Sequence, residues 1–183
     1  MSLPKWDPSL FPGDVLTGIS FTLDGSVSGN AKFESLDAAP ATVTMNLQAM
    51  IKLYDPSNNV LVVTLPVVWT SDNVSAFDGV IDFGGTSGKS YLGETNSDSQ
   101  TGTSTDYATF TGSGNISLPV TAQGSSNGSG AGNLILQFNT FAAASASVTY
   151  TYSETVPEPA SLVSLAIGAL SLAGYRLARR SLC

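Results

Sequence analysis

The chain has 183 residues, the length of one domain, and lacks histidine while holding a single cysteine, Cys183, which excludes histidine-based acid–base catalysis, Ser-His and Cys-His nucleophiles, and Cys/His zinc sites. Only 11% of the residues are charged against 42% apolar, and Ser, Thr, Gly and Asn dominate the rest, a balance that favours short strands and turns in an exported all-β protein. Residues 1–158 carry all 14 acids and four lysines, a net charge of −10, whereas residues 159–183 carry three arginines and no acid, so the body repels phosphate backbones and no nucleic acid is expected as a partner.

The first alternating segment, Ile19, Phe21 and Leu23, runs into Asp24-Gly25, a dipeptide suited to a hairpin because glycine accepts positive φ. A second strand through Val27, Ala31 and Phe33 is predicted to follow. The clearest period of two places Val43, Met45, Leu47, Ala49, Ile51 and Leu53 on one face and Thr42, Thr44, Asn46, Gln48 and Lys52 on the other. Asp55 to Asn59 reads as a turn leading into a strand over 60–65, since proline fixes φ and asparagine tolerates left-handed geometry. Further strands are predicted over 77–83, 107–111, 114–122, 134–141 and 145–153, separated by polar loops at 84–105 and 123–133. No helix is expected before residue 158. These elements predict an all-β body, residues 1–154, as an antiparallel two-sheet β-sandwich of the jelly-roll kind. Trp69, Phe21, Phe77, Phe110, Phe138, Tyr150 and Tyr152 supply bulky side chains for its core.

From Ala160 to Ala178 the chain is apolar or small for about 19 positions, roughly 28 Å of helix and close to the thickness of a bilayer. A single transmembrane helix is predicted over about 160–178, with Tyr175 and Arg176 at its interface; a buried helix would be expected to show a broader polar face. Arg176, Arg179 and Arg180 form a basic end (176–180) that the positive-inside rule keeps cytoplasmic, placing the acidic body across the membrane. That topology requires export, yet Met1 to Pro8 shows neither a cationic start nor an apolar run, so the natural start is expected to lie upstream.

Val156-Pro157-Glu158-Pro159-Ala160-Ser161, the apolar span and Arg179-Arg180 together resemble the PEP-CTERM sorting signal of Gram-negative bacteria. The resemblance implies export, transient insertion in the inner membrane, recognition by an exosortase, and removal of the tail (155–183). Pro157, Glu158 and Pro159 are then the motif of a substrate, and two prolines keep the junction extended as a protease requires. The body resembles the choice-of-anchor E domain over most of residues 3–153. The matches include Leu3-Pro4-Lys5-Trp6-Asp7-Pro8, Asp82-Phe83-Gly84-Gly85-Thr86-Ser87-Gly88 and Val148-Thr149-Tyr150-Thr151-Tyr152. Members of that family carry a signal peptide and further β sequence upstream of the first match, and the family brings no biochemical activity with it.

Candidate sites in the body are few. Asp78 and Asp82, read as lying on one strand face, form a pair of the kind that hydrolyses glycosides or binds calcium; the plainer reading is two solvated acids at a turn. Asn96 to Gly102 alternates oxygen ligands like a calcium loop, but its glycine comes one place late and Tyr107 stands where glutamate belongs. Gly124 to Gly132 lacks the lysine and helix of a phosphate cradle and reads as a linker. The sequons at Asn73, Asn115 and Asn127 are expected by chance in so Ser/Thr-rich a chain. Trp69, Tyr91, Tyr107, Tyr150 and Tyr152 would stack on sugars if exposed, although aromatic residues on strands more often belong to a core. The expected protein is non-enzymatic, without cofactor or metal, an exosortase substrate reaching the cell surface or matrix with exopolysaccharide as its companion. A carbohydrate-binding or adhesive module and, more remotely, a glycoside hydrolase are the alternatives.

Overall fold

The computed structural model describes residues 1–154 together with Ile167. Its elements in chain order are β1 (Ser2–Pro4), β2 (Val15–Ser35), β3 (Ala41–Tyr54), β4 (Val60–Thr64), β5 (Val67–Val74), β6 (Gly88–Ser104), α1 (Tyr107–Phe110), β7 (Asn115–Ser117), β8 (Val120–Gly124), β9 (Asn127–Ser129) and β10 (Leu134–Ser153). Every pairing between strands is antiparallel.

Three long strands in the order β10-β2-β6 make the first sheet. The second is built on β3. Because β4 and β8 both pair with Ile51–Leu53, they flank β3 on opposite sides, and β5 and β9 do the same at Thr44–Asn46. Register shows that each flank is one line of chain with a break. Thr64 pairs with Ile51 and Val67 with Gln48, so β4 and β5 are collinear across Leu65-Pro66, where proline has no N–H to give the ladder. Gly124 pairs with Ala49 and Asn127 with Asn46, so β8 and β9 are collinear across Ser125-Ser126. The small β1-β7 sheet and α1, capped by Asp106 accepting from the Thr109 N–H at 3.2 Å, close one end.

The two large sheets share a core. Ile19, Phe21, Leu23 and Val27 from β2 are buried in one cluster with Leu47, Ala49, Ile51 and Leu53 from β3, Phe110 from α1 and Leu118. Phe21 and Phe110 meet at 5.1 Å between ring centroids. Each of these larger side chains contributes about 1.5–3 kcal/mol on leaving water. A second cluster joins Ala31 and Phe33 to Val43, Met45 and Val74.

The alternation over 42–53 and the Asp55–Asn59 turn form as expected: the Asp55 carboxylate accepts from the Ser57 and Asn59 N–H groups, and Asn58 takes a φ of 66°. Elsewhere the expectations need correcting. Asp24-Gly25 makes no hairpin; β2 runs straight through it. A Cβ on Gly25 would lie 2.2 Å from Thr64 Oγ1, so this glycine serves the close approach of the two sheets rather than a turn. Gly29, at φ 154°, sits at a register shift against β6, and a Cβ there would lie 1.8 Å from the Asn139 carbonyl oxygen.

The polar stretch 84–105 contains the 17-residue strand β6, and 134–153 is one strand instead of two. The segment 77–83 is loop, and 107–111 begins with the α1 turn. Residues 67–74 form β5, a strand the apolar pattern does not reveal, and its Trp69 lies outside the core. Among the described residues no helix is long and apolar enough to cross a membrane; the transmembrane helix expected over about 160–178 and the basic end at Arg176, Arg179 and Arg180 lie outside the described residues, Ile167 apart.

Candidate binding surface

The Asp78–Asp82 pair does not form on a strand. Asp78 Oδ1 accepts from the Val80 N–H at 3.1 Å and Oδ2 from the Thr86 N–H at 3.3 Å, while Asp82 Oδ1 accepts from the Gly84 N–H at 2.8 Å. Each acid closes its own turn. The Val80 and Thr86 amides hold the Asp78 carboxyl below the usual aspartate range, the opposite of what a general acid needs. The residue that organises this loop is one the sequence does not single out. Glu34, fully buried at the end of β2, accepts from Ser87 Oγ at 2.6 Å and from the Phe83 N–H at 2.8 Å, and Phe83 is held at a φ of 57°. A buried carboxyl in a Phe-Glu-Ser triplet carries no local signature, so only the packing exposes it.

Asn96 to Gly102 cannot wrap a cation because it is extended within β6. Its alternate side chains stitch the edge of the first sheet to the break in the second. Asp98 Oδ2 accepts from the Leu65 N–H at 2.9 Å, Asp98 Oδ1 from Gln100 Nε2 at 3.0 Å, and Asn96 Nδ2 donates to the Val67 carbonyl. The Leu65 amide, then Gln100, holds the Asp98 carboxyl below its ordinary value. Lys89 and Asp72 add an ion pair along the same seam. On the opposite seam, Ser126 Oγ and Thr140 Oγ1 lie 2.9 Å apart. Among the described residues no three His, Cys, Asp or Glu side chains gather as a metal site. The Gly124–Gly132 stretch, read as a linker, supplies the end of β8 and all of β9; the sequon asparagines Asn73, Asn115 and Asn127 all sit in strands.

Four of the five candidate aromatic residues are tied into the structure. Tyr150 donates to the Pro4 carbonyl at 2.8 Å, and burial raises its hydroxyl above the ordinary tyrosine value. Tyr152 packs on Phe11 at 5.1 Å, the Lys89 ammonium lies 5.0 Å from the centre of the Tyr91 ring, and Tyr107 donates to the Thr17 carbonyl at 2.8 Å. Trp69 differs: it is 62% exposed.

Register places its neighbours, because directly paired residues project from the same side of a sheet. Trp69 pairs with Asn46, which pairs with Asn127; Val67 pairs with Gln48, and Ser71 with Thr44. The Asn46 amide donates to Asn127 Oδ1 at 3.2 Å and the Gln48 amide to Ser125 Oγ at 2.7 Å. Leu65, 60% exposed, and Val67 extend the apolar line along the same flank. The outward set of β3 is legible from its alternation, but its partners are not, because the sequence of β5 runs through Thr70-Ser71-Asp72-Asn73 and carries no sustained apolar alternation.

The outward face of the first sheet is different in kind. Its paired rows read Thr149–Ser20–Thr103, Ser147–Thr22–Thr101, Ser145–Asp24–Ser99 and Ala143–Ser26–Ser97, followed by Phe141–Ser28–Thr95, whose phenyl ring is exposed. A shallow depression crosses the third and fourth rows.

Beyond the β body, the family description "PEP-CTERM protein-sorting motif" matches residues 155–180, which include Pro157, Glu158, Pro159 and the three arginines. These residues lie outside the described ones. The match supports an exported protein sorted to the cell surface as an exosortase substrate. The chain matches no curated protein and no solved structure.

Proposed function

We propose that this is a non-enzymatic protein of the cell surface or extracellular matrix, held transiently in the inner membrane by a helix over about 160–178 and cut free by an exosortase near Pro157-Glu158-Pro159. The observation that carries the reading is the sorting motif at 155–180 placed directly after an acidic, strand-rich body. The body, taken as residues 1–154, is a choice-of-anchor E-like β-sandwich, a reading supported by the residue matches given above. Exopolysaccharide is its companion after release. Arg176, Arg179 and Arg180 act as the cytoplasmic stop, which favours an outward body by the positive-inside rule.

The test is fractionation of cells that possess an exosortase, producing the chain behind an export signal with and without residues 157–183. The intact chain should reach the surface or medium at reduced mass, and the shortened one should lose that processing and change its retention. Unchanged mass and a cytosolic location for both versions would overturn the proposal.

A further inference from the structure

We infer that the outward face of the second sheet around Trp69 binds a neutral polysaccharide. An indole 62% exposed on a paired strand offers a flat apolar ring with one N–H at its edge, the shape on which the C–H face of a sugar ring stacks. In register beside it stand Asn46 and Asn127, with Gln48 and Thr44 one row to either side. The Asn46 oxygen is buried and its amide nitrogen is spent on Asn127, so Asn46 positions its neighbour, while the Asn127 amide nitrogen and the Gln48 amide oxygen supply a donor and an acceptor for sugar hydroxyls.

Charge selects among possible occupants. The rows from Thr42 to Gln48 present no acidic or basic side chain outward, since Asp72 belongs to the inward set and pairs with Lys89. The body as a whole is strongly acidic. An anionic polymer and a second copy of the chain are both repelled, whereas a neutral glycan is not. Leu65, Val67 and Trp69 recur at alternate positions, about 6.5 Å apart along the chain, so the apolar line suits an extended polymer better than one sugar. The outward face of the first sheet also carries a ring, Phe141, 60% exposed and paired with Ser28, but Asp24 and Lys32 stand two rows to either side of it, so that face is charged, and its serine and threonine hydroxyls exchange water for sugar with little net gain.

The inference deepens the proposed destination in an extracellular polysaccharide, on which it rests only for the origin of the ligand. Sorting is read by fractionation and binding with purified protein, so either can fail alone. The experiment is affinity electrophoresis of the full chain, in a sugar-free detergent, through gels containing mixed-linkage β-glucan, galactomannan or dextran, with alginate as the anionic control. At least one neutral polymer should retard the protein and alginate should not. Trp69→Ala should weaken binding at least tenfold with an unchanged circular dichroism spectrum, while Trp69→Phe keeps most of it. Because Trp6 is buried, the fluorescence change on binding should vanish in W69A. No retardation by any of the three neutral polymers, or retardation that W69A leaves intact, would overturn the inference. So would concentration-dependent self-association through this face that W69A abolishes, which would assign it to a protein contact.

Discussion

The two sheets are built from the same alternation and turn opposite characters to solvent. The β10-β2-β6 sheet has unbroken strands and an outward face whose serine and threonine rows give way at one end to Phe141, Asn139 with Asn30, and Lys32. The β3 sheet has flanks broken at Leu65-Pro66 and Ser125-Ser126, and an outward face of amides beside an exposed indole. The difference teaches that strand breaks here are joints. At Leu65 the N–H that leaves the ladder is taken by Asp98 of the other sheet, so the interruption becomes the place where the sheets are fastened. The unbroken sheet acts as a platform, and the broken one carries the exposed indole on uncharged rows.

The strongest challenge to this picture is Gly25→Val, which inserts a side chain where the platform meets Thr64 and Ile51 of the second sheet. Overpacking at this contact should lower stability in denaturant unfolding by about 3 kcal/mol. Next comes Glu34→Gln, which substitutes an amide for one of two acceptors serving Ser87 and Phe83. The loss should be about 2 kcal/mol, with faster hydrogen exchange over residues 77–88 while β2 and β3 keep their protection.

Acid should loosen the turns and the Leu65 joint before the paired strands of the platform. Asp55, Asp78, Asp98 and Asp106 are all held below the ordinary aspartate range by hydrogen bonds from neighbouring side chains and backbone amides. A carboxyl depressed in the folded state stabilises the fold above its unfolded pKa of about 3.9, and that contribution is lost as pH falls through the lower folded value. With no histidine to titrate, the melting temperature should stay flat between about pH 5 and 8 and fall below about pH 4. Asp98→Ala should make that acid decline shallower. The smallest effect separates surface from scaffold: Trp69→Ala and Thr22→Ala should each change stability by less than about 0.5 kcal/mol, and only the former should alter glycan binding.

How much was legible follows from which side chains carried a local signal. β3 could be read from its sequence because its neighbours cover one face and water the other, so burial writes a period of two into the chain. β6 could not, because it is an edge strand whose half-buried positions include Glu94, Asp98 and Gly102, and with Asp98 bonding and Gly102 fitting across a seam they leave no apolar rhythm. Asp24-Gly25 and Gly124–Gly132 were misread for a related reason: glycine marks both positive φ and close packing, and sequence cannot separate the two. The candidate acids were visible as residues; Asp78 and Asp82 close turns with amides two residues on, a use that their residue types allow but do not announce, whereas the seam bond of Asp98 depends on Leu65, distant along the chain.

By itself the sequence determined the β-rich class, the acidic character of the body and the sorting motif with its basic end, because composition, alternation and a contiguous signal are local properties. Tertiary structure alone decided that β2 and β10 run unbroken, that Glu34 anchors a loop, and that Trp69 stands outside beside Asn46 and Gln48. Those outcomes depend on which strand lies opposite which, and register is a property of pairs that no single segment contains.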